Sequence, residues 1–374
     1  MEGWISQEGF PVIKASLVDG RLTLEQERFL LTGGTSKQTW PIPVTMNVDG
    51  KTQSLLLDKK KAEVNLPTTP RSLKLNVDQT GFYVVQYNGK ELLDLVWKSG
   101  LSPLDRWGLI SDAKAFLLSG RTSFKEYIKL IEKYQNEEEY LPAVEVSDQL
   151  SFLYQIVPSK LIETSRKFHS AGLKTFESKK DDNSSTLKGI IAARLTLLDD
   201  AYARKAGSKF NDLANVEPDM KRSVVMGYAR SSNDYDGLIS RYTKSTTDEE
   251  RLRYLEGLTS LKKPELVAKT LDFALSSKVK RQDVRNVILY ATANPDAKTT
   301  IWKWFKNNMA KLEQMYSGTA QFSIILREYF SIVGVGRSVE VEKFFSEHRV
   351  IGADIALERL RIYDRLAKNI TASV

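Results

Sequence analysis

Hydrolytic or metal chemistry would have to reside in histidines, cysteines or paired carboxylates, and the sequence is thin in all of them. Its 374 residues hold two histidines, His169 and His348, and no cysteine. A catalytic zinc site takes two or three histidines with a carboxylate, yet no His-Glu-x-x-His occurs and the two histidines lie far apart. Without cysteine there is no disulfide, thiolate ligand or thiol nucleophile. Scarce histidine also leaves a Ser-His-Asp triad little support. Asp181-Asp182, Asp199-Asp200 and Asp234/Asp236 read as solvated surface acids, and His348, after Glu347 near a helix end, suits the negative end of a helix dipole. Gly334-x-Gly336 stands alone, with no Gly-x-x-x-x-Gly-Lys-Ser/Thr loop beside it. The residues therefore predict no catalytic group and no metal site in this chain.

Basic residues come next. Lys plus Arg number 55 against 47 acids, a net charge of +8. The excess is modest and interspersed, consistent with a surface that attracts anions. Lys262-Lys263, Lys278–Arg281 and Arg359/Arg361/Arg365 are locally basic, and Trp302 and Trp304 lie near Lys303 and Lys306. A nucleic-acid stacking platform needs exposed aromatics, whereas Trp302, Phe305 and Met309 are spaced as the buried face of one helix. No nucleic-acid partner is expected. No apolar run approaches the ~20 residues of a membrane helix, so no membrane partner is expected either. Met1-Glu2-Gly3-Trp4-Ile5-Ser6 lacks a signal peptide's basic and apolar regions and opens on folded-looking sequence. We expect a cytoplasmic chain cut from something longer.

The elements divide in two. Up to about residue 97 the pattern is strands and tight turns. Asp19-Gly20, Asp49-Gly50 and Asn88-Gly89 accept the positive φ of two-residue hairpins. Alternation flanks them: Leu22 and Leu24 bracket Thr23, and Val44, Met46 and Val48 bracket Thr45 and Asn47. Lys90–Val96 is expected to be the strand after the third turn. Trp4, Trp40, Phe82 and Tyr83 are expected in the core. Short antiparallel strands at this spacing suggest a β-sandwich domain over residues 1–97.

From Ser102 onward the pattern is helical. Leu101–Gly120 is well punctuated: Ser102 as N-cap, Pro103 in the first turn, Gly120 as stop. Leu104, Trp107, Ile110, Ala113 and Leu117 form its expected apolar face. Further helices are predicted at 123–135, 138–155, 158–174, 185–205, 218–229, 234–243, 248–260, 264–276, 281–292, 297–309, 319–333, 338–347 and 353–370. Short helices with shorter links favour stacked pairs, so residues 98–374 read as an all-α superhelical domain, HEAT- or armadillo-like, with a concave binding face. On these grounds a free-standing HEAT-like interaction scaffold with a β-domain is one reading.

The residues also resemble the C-terminal half of the M1 family of zinc aminopeptidases. Trp4-x-x-Gln7-x-Gly9-x-Pro11-Val12, Gln26-x-Arg28-Phe29 and Trp40-Pro41-Ile42-Pro43-Val44 follow in the family's order. So do Lys74-x-Asn76-x-x-Gln79-Thr80-Gly81-Phe82-Tyr83 and Leu101-Ser102-Pro103-Leu104-Asp105-Arg106-Trp107-Gly108-Leu109-Ile110-Ser111-Asp112-Ala113. Looser pieces are Glu250-Arg251-Leu252-Arg253, Arg281-Gln282-Asp283 and Trp302-x-Trp304-Phe305-x-x-Asn308. Val84 stands where the family usually has Arg. The archaeal members, including the tricorn protease-interacting aminopeptidases, look most similar.

The resemblance implies a parent enzyme in which zinc drives removal of N-terminal residues from peptides. The family's catalytic domain is missing here, so this chain is expected to be inactive alone and to carry no cofactor. It implies a β-domain that braces and a helical lid that encloses the active-site chamber, with the parent's own catalytic domain, peptide substrates and a larger proteolytic complex as partners. Lys280, Arg281 and Arg327 are the candidate substrate-binding residues, placed to meet a peptide's carboxylate.

Overall fold

The computed structural model describes residues 2–34, 36–66 and 68–372. The chain divides into two compact units, Met1–Tyr134 with Leu141–Val146, and Gln135–Tyr140 with Ser147–Val374.

The first unit holds two sheets. Strands β1 (Pro11–Val18), β2 (Arg21–Arg28), β5 (Lys61–Asn65) and β7 (Val84–Tyr87) form one in the order β5-β2-β1-β7. Strands β3 (Ile42–Val48), β4 (Lys51–Leu57) and β6 (Leu73–Leu75) form the other in the order β4-β3-β6. Two of the Asx-Gly turns behave as expected. Val18 pairs with Arg21 and Val48 with Lys51, and Asp19, Gly20, Asp49 and Gly50 all take positive φ. Ile13, Leu24, Trp40, Val44, Leu75 and Val85, drawn from both sheets and the segment before β3, share one apolar cluster.

Gln26 is buried at the inward position of β2. Its Nε2 donates to the carbonyls of Trp40 (2.8 Å), Leu57 (3.1 Å) and Lys59 (2.9 Å), and its Oε1 accepts from Trp40 N at 2.7 Å. One amide thus satisfies the backbone at the end of the second sheet where β3 begins and β4 ends.

The third turn differs from expectation. β7 pairs with β1 in parallel, and after Gly89 the chain enters helix α2 (Lys90–Trp97), not a strand. Leu92 and Val96 are the buried pair. Their spacing of four belongs to a helix, and Lys90-Glu91-Leu92-Leu93 are good helix formers. Trp40 and Tyr83 are buried as expected, but Phe82 is 73% exposed.

Helix α3 (Pro103–Ser119) is capped as expected: Ser102 Oγ accepts from Asp105 N at 3.1 Å, and Gly120 closes the helix in a left-handed conformation. Ile110, Ala113 and Leu117 of the expected face are buried, but Leu104 is exposed and Trp107 half-buried, and the buried face also takes in Asp105, Gly108, Leu109, Asp112 and Phe116. Two carboxylates sit inside because each has partners. Asp105 Oδ1 lies 3.1 Å from Lys74 Nζ and accepts from Asp78 N at 2.9 Å; Asp112 Oδ2 accepts from Val85 N at 2.9 Å. Burial pushes the Asp112 carboxyl up to about 7, with the Val85 N–H and the Lys74 charge pulling the other way. Helix α4 (Phe124–Glu132) follows with a full capping box between Ser123 and Glu126.

In the second unit, α6 (Pro158–Glu177), α7 (Asp182–Leu198), α8 (Asp200–Gly207), α9 (Lys221–Ser232), α10 (Tyr235–Lys244), α11 (Asp248–Thr259), α12 (Pro264–Ala274), α13 (Arg281–Ala293) and α14 (Lys298–Met315) follow in turn. The chain continues through α15 (Gln321–Ile325), a π-helical turn at Leu326–Phe330 and α16 (Ser331–Val333) to α17 (Ser338–Glu347) and α18 (Ala353–Ala372). The helix predicted at 185–205 is broken at Asp199, whose extended backbone lets its side chain cap α8 through Ala201 N and Tyr202 N. The other acid pairs resolve the same way. Asp181 caps α7 and Asp234 caps α10. Side chains that look like paired carboxylates are spent satisfying helix N-termini.

Contacts run in two registers. α7, α9, α11 and α13 touch in that order, while α10 meets α11 and α12 meets α11, α13 and α14. Trp302, Phe305 and Met309 of α14 are buried as their spacing predicted, and Trp304 is buried too, its Nε1 donating to Asp272 at 2.8 Å. Helices α8 and α9 pack closely. A Cβ on Gly227 would come within 2.5 Å of Ala203 O. No helix among the described residues is long and apolar enough to cross a membrane.

Candidate functional site

A recess of about 460 Å³ lies across α7, α9, α11 and α13. Local sequence sets it up. Gly189 lets the turn at Pro218–Met220 pack on α7, because a Cβ there would come within 2.5 Å of Asp219 O. That close approach starts α9 beside α7 and brings Arg222 to the groove wall. Thr247 accepts from Glu250 N at 3.2 Å to start α11, which contributes Glu249, Arg253 and Glu256. Tyr290 comes from α13.

Three carboxylates face two guanidiniums in this groove. Arg222 grips Glu256 with both arms, Nε to Oε2 at 2.7 Å and Nη2 to Oε1, and Arg253 pairs with Glu249 one turn away. Burial, then the Glu256 charge, pushes the Tyr290 hydroxyl up to about 12. It stays protonated at neutral pH and can both donate and accept. The groove therefore offers mixed polar recognition, of the kind a peptide backbone or a zwitterion requires, and no activated nucleophile.

A nucleophile-base geometry does occur at Ser147 and His169. Ser147 Oγ lies 2.9 Å from His169 Nε2, and Nδ1 lies 2.6 Å from Ser165 O. The carbonyl fixes the proton on Nδ1, leaving Nε2 to accept from Ser147. Arg194 donates to the same Ser147 oxygen and to Asp148. Burial, and then the Arg194 charge, pulls the imidazole down to about 3. The adjoining cavity is about 10 Å³, room for one water and no substrate. Ser147 and His169 are a satisfied polar plug in the helical core.

Metal binding fits no better. Among the described residues no group of three or more His, Asp or Glu is placed to hold an ion. Both ring nitrogens of His169 are engaged. His348 is exposed, stacked on Phe344, and bonded through Nδ1 to the Phe344 carbonyl at 2.9 Å. The residues present do not fit a zinc site.

The three residues singled out from sequence lie outside the groove. Lys280 and Arg281 open α13. Lys280 Nζ is paired with the Asp248 carboxylate at 2.6 Å, and the Arg281 guanidinium sits 5.6 Å over the Tyr316 ring. Arg327 is half-buried in the π-helical turn, its Nε buried with no hydrogen-bond partner. Sequence reasoning missed the groove itself. Its walls come from segments between 186 and 290, and the Arg222–Glu256 grip spans 34 positions with no local signature.

A two-sheet β region thus precedes a long array of helices that carries a polar groove. Residues 72–361 match the ERAP1-like C-terminal domain, and the chain belongs to that family. It is 37% identical over 98% of its length to a leucyl aminopeptidase of Saccharolobus solfataricus, and 30% identical over 98% to the tricorn protease-interacting factor F2 of Thermoplasma volcanium. Aminopeptidase M1-A of Oryza sativa is 27% identical over 85% of the chain. The chain spans 47% of the length of both archaeal relatives and 40% of the plant one. It corresponds to the C-terminal part of an M1 aminopeptidase.

Proposed function

We propose that this chain is the non-catalytic, enclosing half of a zinc aminopeptidase that removes N-terminal residues from peptides. The observation that carries the reading is the near-complete match of this chain to about half of proteins named as aminopeptidases. Zinc belongs to the parent enzyme, and hydrolysis by this chain alone is not expected. The two sheets around one core act as a β-sandwich brace over residues 1–97. The helices of 98–374, stacked α7-α9-α11-α13, act as a HEAT-like superhelix that closes over the catalytic chamber. Its partners are the catalytic domain, the peptide and, by likeness to the tricorn-interacting relative, a larger proteolytic complex in the cytoplasm.

Substrate contact in this reading has two parts. The groove presents Tyr290, Arg222 and Glu256 to a peptide main chain. Lys280, Arg281 and Arg327 take the C-terminal carboxylate, as cationic donors suited to a carboxylate. The test is a calorimetric titration of short peptides with free and amidated C-termini. We expect binding of the free acids, at least fivefold weaker binding of the amides, and loss of that preference in Arg327→Ala. Equal affinity for acids and amides would overturn the carboxylate contact. Leucyl-anilide turnover that co-purifies with the chain and survives removal of host peptidases would overturn the non-catalytic role.

A further inference from the structure

Late in the helical array two half-buried cations are held close together, neither with a carboxylate of its own. Lys298 is the first residue of α14, and Arg337 directly precedes α17. The glycine pair that matched no motif brings them together. Gly336 takes a positive φ of 82°, and the Arg337 amide donates to the Gly334 carbonyl at 2.9 Å. This turn returns the chain to α14, where Arg337 Nη2 donates to Thr299 Oγ1 at 2.8 Å. The guanidinium thus lies on the first turn of α14, which Lys298 opens. Its Nε is buried with no hydrogen-bond partner. Burial, and then the Arg337 charge, pulls the Lys298 ammonium down to about 8, and among the described residues no carboxylate holds it up.

The acids of this region are engaged elsewhere. Glu340 accepts from Trp302 Nε1 at 2.8 Å and from Lys306 Nζ at 2.7 Å. Asp364 accepts from Gly336 N at 2.8 Å and Ser338 Oγ at 2.9 Å, and pairs with Lys368 at 3.1 Å. Asp296 pairs with Arg230 at 3.2 Å. Charges removed from water are ordinarily paired, because an uncompensated one is costly. Helix α14 adds to the same sign. It is 18 residues long, and its N-cap, Ala297, supplies no side-chain acceptor for the first-turn N–H groups.

We infer that Lys298, Arg337 and the first turn of α14 form a binding site for a phosphate-type oxyanion. Charge selects this class of ligand. Lys298, Arg337 and Lys306 against the single carboxylate of Glu340 leave two positive charges uncompensated, which a dianion balances and a monocarboxylate does not. Geometry agrees, since the Arg337 Nε, the Lys298 ammonium and the helix N–H groups are donors from three separate parts of the backbone, suited to the several oxygens of a tetrahedral anion. Thr299 is exposed, so the site opens to water. None of these residues lines the groove across α7, α9, α11 and α13, so the site is independent of the function proposed above. A bound anion would fasten the turn before α17 to the start of α14.

Equilibrium dialysis of the whole chain against radiolabelled inorganic phosphate at fixed ionic strength tests the site, with thermal unfolding followed in parallel. We expect one phosphate per chain and an unfolding midpoint that rises with phosphate but not with acetate at the same ionic strength. Lys298→Met and Arg337→Gln should each weaken phosphate binding at least about tenfold. Lys303→Met, exposed on the same helix, should leave it unchanged. In phosphate-free buffer Lys298→Met should unfold at a higher temperature than the unsubstituted chain, because an uncompensated charge has been removed. That gain separates a ligand-binding lysine from one that merely supports the fold. Absence of bound phosphate at ~10 mM, where even a millimolar site would be mostly filled, would overturn the inference. So would undiminished binding in Lys298→Met, or a response to acetate equal to that to phosphate. A lowered midpoint of Lys298→Met without phosphate would show that the ammonium already has its partner inside the protein, and would overturn it as well.

Discussion

Lys74 Nζ lies 3.1 Å from Asp105 Oδ1, with both side chains buried, so a strand of the second sheet is tied to the first turn of α3 by an ion pair inside the first unit. Lys74 Nζ also donates to the carbonyls of Leu75 and Asn76, and Ser102, the cap of α3, reaches Asp78 Oδ1 at 2.7 Å. The family-like stretches around residues 74–83 and 101–113 are therefore the two sides of one polar junction.

That junction makes single and double substitutions unequal. Lys74→Met leaves Asp105 charged and buried, and Asp105→Leu does the same to Lys74. Each should cost ~3–5 kcal/mol in urea unfolding. The double variant should recover part of that loss, because no charge is left stranded. Additive losses in the double-mutant cycle would show that the two groups do not act as a pair.

Asp112 and His169 give opposite pH dependences. Asp112 is raised from 3.8 to about 7 in the fold, so its contribution is complete below pH 4 and lost as pH rises toward 7. His169 is lowered from 6.5 to about 3, so stability is lost as pH falls below 6.5. In Asp112→Asn, which keeps an acceptor for Val85 N, the downward slope between pH 4 and 7 should vanish. In His169→Gln the loss below pH 6.5 should shrink. Each slope is at most ~1.4 kcal/mol per pH unit. Urea midpoints measured from pH 4 to 8, taken as differences from the unsubstituted chain, test both; parallel curves would refute the assignments.

Gly227→Ala should destabilise the chain by ~1–3 kcal/mol through overpacking against Ala203 O. The sign is informative, since Gly→Ala within an open helix is worth ~1 kcal/mol in the opposite direction. Thermal unfolding reads it directly, and a raised midpoint would mean that α8 and α9 part easily.

What was legible in the sequence follows how local each signal is. The Asp19-Gly20 and Asp49-Gly50 hairpins, the Ser102 cap and the Trp302/Phe305/Met309 face depend on neighbours a few residues away, and all were read correctly. Lys90–Trp97 was misread because a short apolar run after an Asn-Gly pair fits a strand as well as a helix. The α3 face was legible only in part: Ile110, Ala113 and Leu117 are buried as their spacing implies, while Asp105 and Asp112 join them because of partners at Lys74, Asp78 and Val85, which hydrophobic patterning does not see. Phe82 was assigned to the core on residue type alone. The groove was invisible for a different reason: Arg222, Glu256 and Tyr290 meet only after three helices have stacked.

Gln26 bears on how the chain avoids a wrong fold. Sliding β2 by one residue would turn its amide outward and bring Glu25 or Glu27 to the same buried place. A carboxylate there could not donate to the Trp40, Leu57 and Lys59 carbonyls, and it would bring an unpaired charge into the apolar cluster. A slip by two would set Leu24 or Arg28 against the same three acceptors, again leaving them unsatisfied or unevenly met. The single amide thus works as a lock that only one alignment opens. Its worth lies less in the free energy it adds to the correct pairing than in the cost it imposes on each neighbouring one.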